Sequence, residues 1–265
     1  MRNGCLAAIG AIGMAAMLGV ACTKGTSSTS AAVGGSSAPA GAAASAVPSP
    51  SGYHPVIDPA RFTSVVDNPW FPLKPGATWV YRGSKDGEAV REVEVVTKGI
   101  QHVDGVPCVA VHDELFHAKD GSLVEDTFDF YTQDRQGNVW YFGEMTVALD
   151  DNDRMTDTEG SWMAGQDGAQ PGIFMESDPT VGHSFLQEYY PGQAQDTFTV
   201  LDVAAHVDVP YGAFDSSLLT QETTVLEPGI VDHKNYVKGV GEVAELQVRG
   251  PQPPERSKLV SYTAG

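Results

Sequence analysis

No run of apolar residues in this sequence is long enough for a comfortable transmembrane helix. The longest, residues 5–20, falls short of the roughly 20 that such a span needs and is loosened by Gly10, Gly13 and Gly19. Basic side chains are scarce: 16 Lys and Arg stand against 34 Asp and Glu, a formal net charge of −18. A surface that acidic repels nucleic acid and anionic lipid headgroups. Cysteine is nearly absent, with three in 265 residues. Cys5 and Cys22 belong to the N-terminal segment. That leaves Cys108, in the apolar run VPCVAV, with no disulfide partner, and it reads as a small packed hydrophobe. Also missing are GxSxG, HExxH and CxxC motifs, a P-loop and a dinucleotide fingerprint. Ser161, in EGSW, lacks the context of a nucleophile elbow. No long stretch carries apolar residues at helical spacing.

What is present begins with Met1, Arg2 and Asn3, a short positive start, followed by the apolar stretch 5–20 and the ending LGVAC. This has the anatomy of a signal peptide over residues 1–21. The ending resembles the lipobox of bacterial lipoproteins, with Gly19 where a Leu is usual, and makes Cys22 the acceptor of a lipid anchor. An ordinary secretory signal with an incidental cysteine is the other reading. Residues 23–52 are nearly all Ser, Ala, Gly, Thr and Pro, too poor in large apolar side chains to offset chain entropy by burial. Residues 22–52 are therefore expected to be a disordered tether with a reach of about 30 Å. The remaining residues, 53–265, suffice for a single domain. Loss of Arg2 with the signal leaves the mature chain still more acidic, so membrane contact must come from the anchor.

The folded part is punctuated by Asp86-Gly87, Asp104-Gly105, Asp120-Gly121 and Gln136-Gly137. Such pairs tolerate positive φ and mark hairpins. Their spacing leaves strands of about 12–14 residues, long against the usual 5–6. Alternating segments continue at 184–190, 196–209, 213–226, 231–237, 243–249 and 258–263. Residues 58–66 have room for a helical turn or two, and 150–178 read as an elaborated loop with one strand at most. Long antiparallel strands coil, so the expected fold is mainly β: a meander forming a barrel or strongly curved half-barrel, with few short helical turns.

If every turn is a tight two-residue hairpin, one row across four strands reads Thr97, His112, Asp129, Glu144. Val96, Asp113, Phe128 and Met145 then lie on the opposite, core-like face. The first row sets an imidazole beside two facing carboxylates, which repel unless a cation, a proton or water compensates. His112, Asp129 and Glu144 are thus a candidate divalent-metal site, against the alternative of a solvated outer face. No other cofactor is called for. An acid–base set would draw on Asp126, Asp129, Glu144 or Glu188 with His112 or His233. Asp150, Asp151, Asn152 and Asp153 suggest calcium, but the glycine and final Glu of the EF-hand pattern are missing. Trp79, Tyr81, Phe128, Phe130 and Tyr141 are candidate lining residues for a bound ligand.

Four segments, NPWFPLKPGATWVYRG (68–83), LVEDTFDFYTQDRQGNVWYFGE (123–144), QEYYPG (187–192) and HKNYVKGVGEV (233–243), resemble a family of uncharacterised exported bacterial proteins. The resemblance covers most of the folded region and implies export and often lipidation, but no established activity. More loosely, the opening FPLKPGATWVY with the late YGAF and YVKGVGEV resembles half-barrel lipoprotein carriers, whose concave sheets hold acyl chains. The leading expectation is a membrane-anchored extracytoplasmic binding protein for an apolar, lipid-like or envelope ligand. Its rivals are an envelope hydrolase or metal-dependent enzyme, and a structural interaction module.

Overall fold

The computed structural model describes residues 52–152 and 154–265. The signal peptide, Cys22 and all of the tether but Gly52 lie outside the described residues. After a single 3-10 turn, Pro59–Arg61, come sixteen strands. They are β1 (Phe62–Thr63), β2 (Thr78–Lys85), β3 (Glu88–Val103), β4 (Val106–His117), β5 (Leu123–Asp134) and β6 (Val139–Leu149). Then follow β7 (Met155–Asp157), β8 (Trp162–Met163), β9 (Gln170–Met175), β10 (Ser184–Leu186), β11 (Glu188–Tyr189) and β12 (Asp196–Val209). The last are β13 (Gly212–Thr224), β14 (Val231–Val237), β15 (Gly241–Arg249) and β16 (Arg256–Thr263). All pairings between these strands are antiparallel. Among the described residues no helix is long and apolar enough to cross a membrane.

The sheet order is β10-β12-β13-β14-β15-β16-β2-β3-β4-β5-β6-β9-β11. Its two ends, β10 and β11, are neighbours in the chain. Residues 184–186 bond to β12 and residues 188–189 to β9, so one short strap joins both edges into a nearly closed barrel. Closure leaves few free strand edges. At this seam a Cβ on Gly172 would lie 2.3 Å from the Leu186 carbonyl oxygen and 2.4 Å from that of Gln187. Only glycine fits there.

The turns explain where the expected register holds. Asp86-Gly87 and Asp104-Gly105 both have positive φ, as the tight hairpin requires. Around Asp120-Gly121 the connection is longer: Ala118 to Gly121 loop out between His117 and Ser122, which are hydrogen-bonded. A bulge between Leu115 and Phe116 follows. The net shift is one residue, and one residue exchanges the faces. At Gln136-Gly137 the loop runs from Arg135 to Gly137, closed by the Asp134–Asn138 backbone bond. A bulge at Gly143 then restores the expected pairing of Asp129 with Glu144. The backbone at Gly143 has φ 139°, and a Cβ there would meet the Trp162 carbonyl at 2.5 Å. The segment 150–178 holds three short strands, β7 to β9, that pair against β6.

One end of the barrel is stoppered by the segment before β2. Val66 and Leu73 bridge, and Trp70, Phe71 and Leu73 are buried. Asn68 shapes this loop: its Oδ1 accepts from Trp70 N at 2.9 Å, and its Nδ2 donates to the Gly137 and Glu176 carbonyls. The Phe71 ring meets Phe174 on β9, Tyr131 on β5 and Tyr236 on β14 at 4.6, 5.3 and 6.4 Å. Three walls therefore close on one side chain. Lys238 lies over the Trp70 ring, and Gly239 N donates to the Pro69 carbonyl at 2.7 Å.

Candidate functional site

Strand alternation decides which side chains enter the lumen. From β2 to β6 one row reads Trp79, Glu94, Asp113, Thr127, Thr146. The next reads Tyr81, Glu92, Leu115, Glu125, Ala148. A third reads Val96, Val111, Asp129, Glu144. The facing wall adds Asp196, Glu222, Asp232, Lys234, Glu242 and Glu245, and the strap adds Glu188. Beyond the aromatic plug, the lumen is therefore lined with carboxylates. Twelve acids are buried there (Glu92, Glu94, Asp113, Glu125, Asp129, Glu144, Glu188, Asp196, Glu222, Asp232, Glu242 and Glu245) beside two lysines, Lys85 and Lys234.

Twelve carboxylates and two ammonium groups cannot all stay charged away from water. Lys234, 1% exposed, sits 3.1 Å from Glu222, 3.9 Å from Glu245 and 4.0 Å from Glu242. Burial alone would lower its pKa, but these carboxylates outweigh that and raise it. Lys85 pairs with Glu125 at 3.5 Å. Burial raises the carboxyl of Glu92 to about 8, reinforced by Glu245 and opposed by Lys234. Asp232 is likewise raised to about 8, by burial and then Glu245. Asp129 rises to about 7, held back by the Tyr141 hydroxyl, which donates to its Oδ1 at 2.6 Å. Glu94, Asp113, Glu144, Glu188, Asp196 and Glu242 are raised well above the carboxylate range, burial first in each case.

The residues singled out in the sequence fall in two places. Asp129 and Glu144 do face each other, but inside the lumen, 1% exposed, and not on a solvated face. His112 does not join them. The one-residue shift at 118–121 puts it on the outer face, stacked 4.3 Å from the Phe128 ring, with Nε2 2.7 Å from Asp126 Oδ1. The row His112, Asp129, Glu144 is thus not formed, and Asp126 is separated from the other acids. Phe128 and Met145, expected in the core, share the outer face with His112. Glu188 enters the lumen near Glu144 and Asp129. His233 alternates outward between buried Asp232 and Lys234. Of the five aromatics, Trp79, Tyr81 and Tyr141 are in the lumen. There Trp79 Nε1 donates to the Val240 carbonyl at 2.7 Å and the Tyr81 hydroxyl to that of Glu242 at 3.2 Å. Phe128 and Phe130 are on the outer face, where Phe128 is half-buried and Phe130 is buried.

Outside, these two rings floor a groove of about 500 Å³, walled by Val103, Ala110, Met145 and Met163. Met163 arrives on β8, which pairs with β6 at Gly143. The irregular stretch Thr97–Gly99 of β3, where the register with β4 slips by two, borders it opposite. Sequence reasoning missed this groove, because it depends on β8 crossing the outer face. It also did not single out Glu92 and Glu94, although alternation from Val96 sets both on the core-like face.

No family model matches the chain, and no curated protein does. Two solved structures are similar in part. One is a protein of Bacteroides fragilis assigned as exported, with a YmcC-like fold: TM-score 0.38, 14% identity, 74% of this chain and 99% of that one. The other is assigned as a lipoprotein of Parabacteroides distasonis: TM-score 0.38, 10% identity, 73% of this chain and 98% of that one. At these values neither likeness carries an argument about this chain.

Proposed function

We propose that this chain is a lipoprotein anchored through Cys22 on the extracytoplasmic face, and that it binds an apolar, acyl-bearing envelope ligand in the groove over Phe128 and Phe130. The groove carries this reading. Its volume lies in the range of small-molecule sites, and its floor is aromatic and aliphatic. Met145 and Met163 suit chains of varied shape. The His112–Asp126 pair beside Phe128 offers a polar group for a headgroup at one edge. Relative to the sequence expectation, the ligand moves from the concave to the convex face of the sheet, since Phe71 and its partners fill the concave side. An envelope hydrolase would need substrate to reach Asp129, Glu144 or Glu188, each 1% exposed.

The test is photolabelling of the full chain in membranes with a photoreactive fatty acid. Label concentrated on peptides bearing Phe128, Met145 and Met163, and lost in Phe128→Asp, supports the groove. Label spread evenly over the outer sheet sinks it. Cys22→Ala tests the anchor separately: the chain should leave the membrane fraction.

A further inference from the structure

In the lumen, one oxygen from each of Glu92, Glu94 and Asp113 lies within 4.8 Å of the others. Two adjacent strands build this set: Glu94 stands directly across from Asp113, and Glu92 is the next inward residue of β3. The three are 5%, 4% and 3% exposed. Glu92 Oε1 and Asp113 Oδ1 are buried without a hydrogen-bond partner. A carboxylate oxygen removed from water and given no donor costs free energy, and three carboxylates side by side add repulsion. A Ser257 hydroxyl reaches only the other oxygen of Glu92, at 3.4 Å. Lys234 forms its ion pairs with Glu222, Glu242 and Glu245 and Lys85 forms one with Glu125, while Lys234 also favours the charged forms of Glu92 and Glu94 against burial.

We propose that Glu92, Glu94 and Asp113 bind a hard divalent cation, calcium by its ease of dehydration, within the acidic lumen. A donor set of carboxylate oxygens alone selects calcium, magnesium or manganese over softer metals. Three carboxylates supply up to six oxygens, a full calcium shell. Magnesium parts reluctantly with its waters, which a buried site demands. Access is from the end opposite the plug, where a cavity of about 40 Å³ lies between Glu92, Lys85, Glu245, Glu255 and Arg256. Its volume is enough to admit water-sized bodies.

The experiment uses the purified full chain in detergent at pH 7.5. It is stripped with EDTA, re-equilibrated with calcium or magnesium, desalted, and read by elemental analysis and thermal melting. The expected result is one retained calcium per chain. Tm should rise by about 5–10 °C in calcium at a hundredfold excess over the dissociation constant, and by less in magnesium. Glu94→Gln and Asp113→Asn should lose both the ion and the shift, while melting in EDTA at or above the wild type because the amide keeps the side chain's shape and can never be charged. That last readout separates a lost site from a lost fold. No retained ion and equal Tm in calcium and EDTA would overturn the proposal. So would calcium retained equally by wild type and both variants, since it would then sit elsewhere.

Discussion

The two halves of the lumen are built on opposite physics. Near the plug, Phe71, Tyr131, Tyr141, Phe174 and Tyr236 pack ring against ring. Their burial is favourable at any pH at which the rings are neutral. Past Tyr141 the same strands, with the same alternation, turn carboxylates inward, and stability there depends on protons and counter-charges. A barrel needs side chains to fill it, not specifically apolar ones. The aromatic half therefore carries the fold, and the acidic half is free to respond to what the surroundings supply.

The sharpest way to break this contrast is at the plug. Phe71→Ala should cost about 3–5 kcal/mol in urea denaturation, nearly equally at pH 5 and pH 8. An effect that changed strongly between those pH values would mean the plug and the acids are not separate. Lys234→Met, at the centre of the acidic wall, should cost a similar amount, about 3–5 kcal/mol, at pH 8, because it leaves Glu222, Glu242 and Glu245 without their cation. At pH 5, where the raised carboxyls of Glu242 and Glu245 hold their protons more tightly than ordinary ones, the loss should shrink. An equal loss at both pH values would contradict the neutralised lumen.

The wild type should itself show the slope. For Glu92, Asp129 and Asp232 the folded carboxyl binds its proton more tightly than the unfolded one. The stabilisation is therefore complete below about pH 4, and is lost as pH rises through about 7 to about 8. Measured in EDTA, Tm should be higher at pH 5 than at pH 8, and Glu92→Gln should flatten the difference. A Tm that rises over this interval would refute the assignment. The smallest effect is expected outside. His112→Ala removes a partly exposed pair with Asp126, worth about 0–1 kcal/mol, and should leave the slope unchanged.

Much of the strand plan was legible in the sequence. The expected segments 196–209 and 231–237 coincide with β12 and β14, because glycine- and proline-bearing turns bound them on both sides. The mainly antiparallel β architecture and the curvature followed from strand length. The inward face was legible on β3 and β4, where Val96 and Asp113 point in as expected, but not on β5 and β6. The four residues 118–121 look like a two-residue turn until their hydrogen bonds are seen, and that error set His112 on the same face as Asp129. Asp129 and Glu144 were paired correctly only because a longer loop at 135–137 and the bulge at Gly143 compensate. The acidic lumen was hidden for a deeper reason. Alternation tells inside from outside by polarity, and here Glu92 and Glu94 face in while Val93 and Val95 between them are only half-buried.

The plug has a consequence for how the molecule comes to exist. Phe71 precedes the first long strand, yet one of its walls is Tyr236, 165 residues later, and β2 is flanked by β16, the last strand of all. Contacts of such sequence separation form late, since a large loop must close before they stabilise anything. Neither the stopper nor the cylinder around it can be completed by a chain still emerging from a ribosome or a membrane channel. A chain truncated before β14 should stay open and sensitive to protease, even with thirteen of the sixteen described strands made. Closure of the barrel thus waits on β14 to β16.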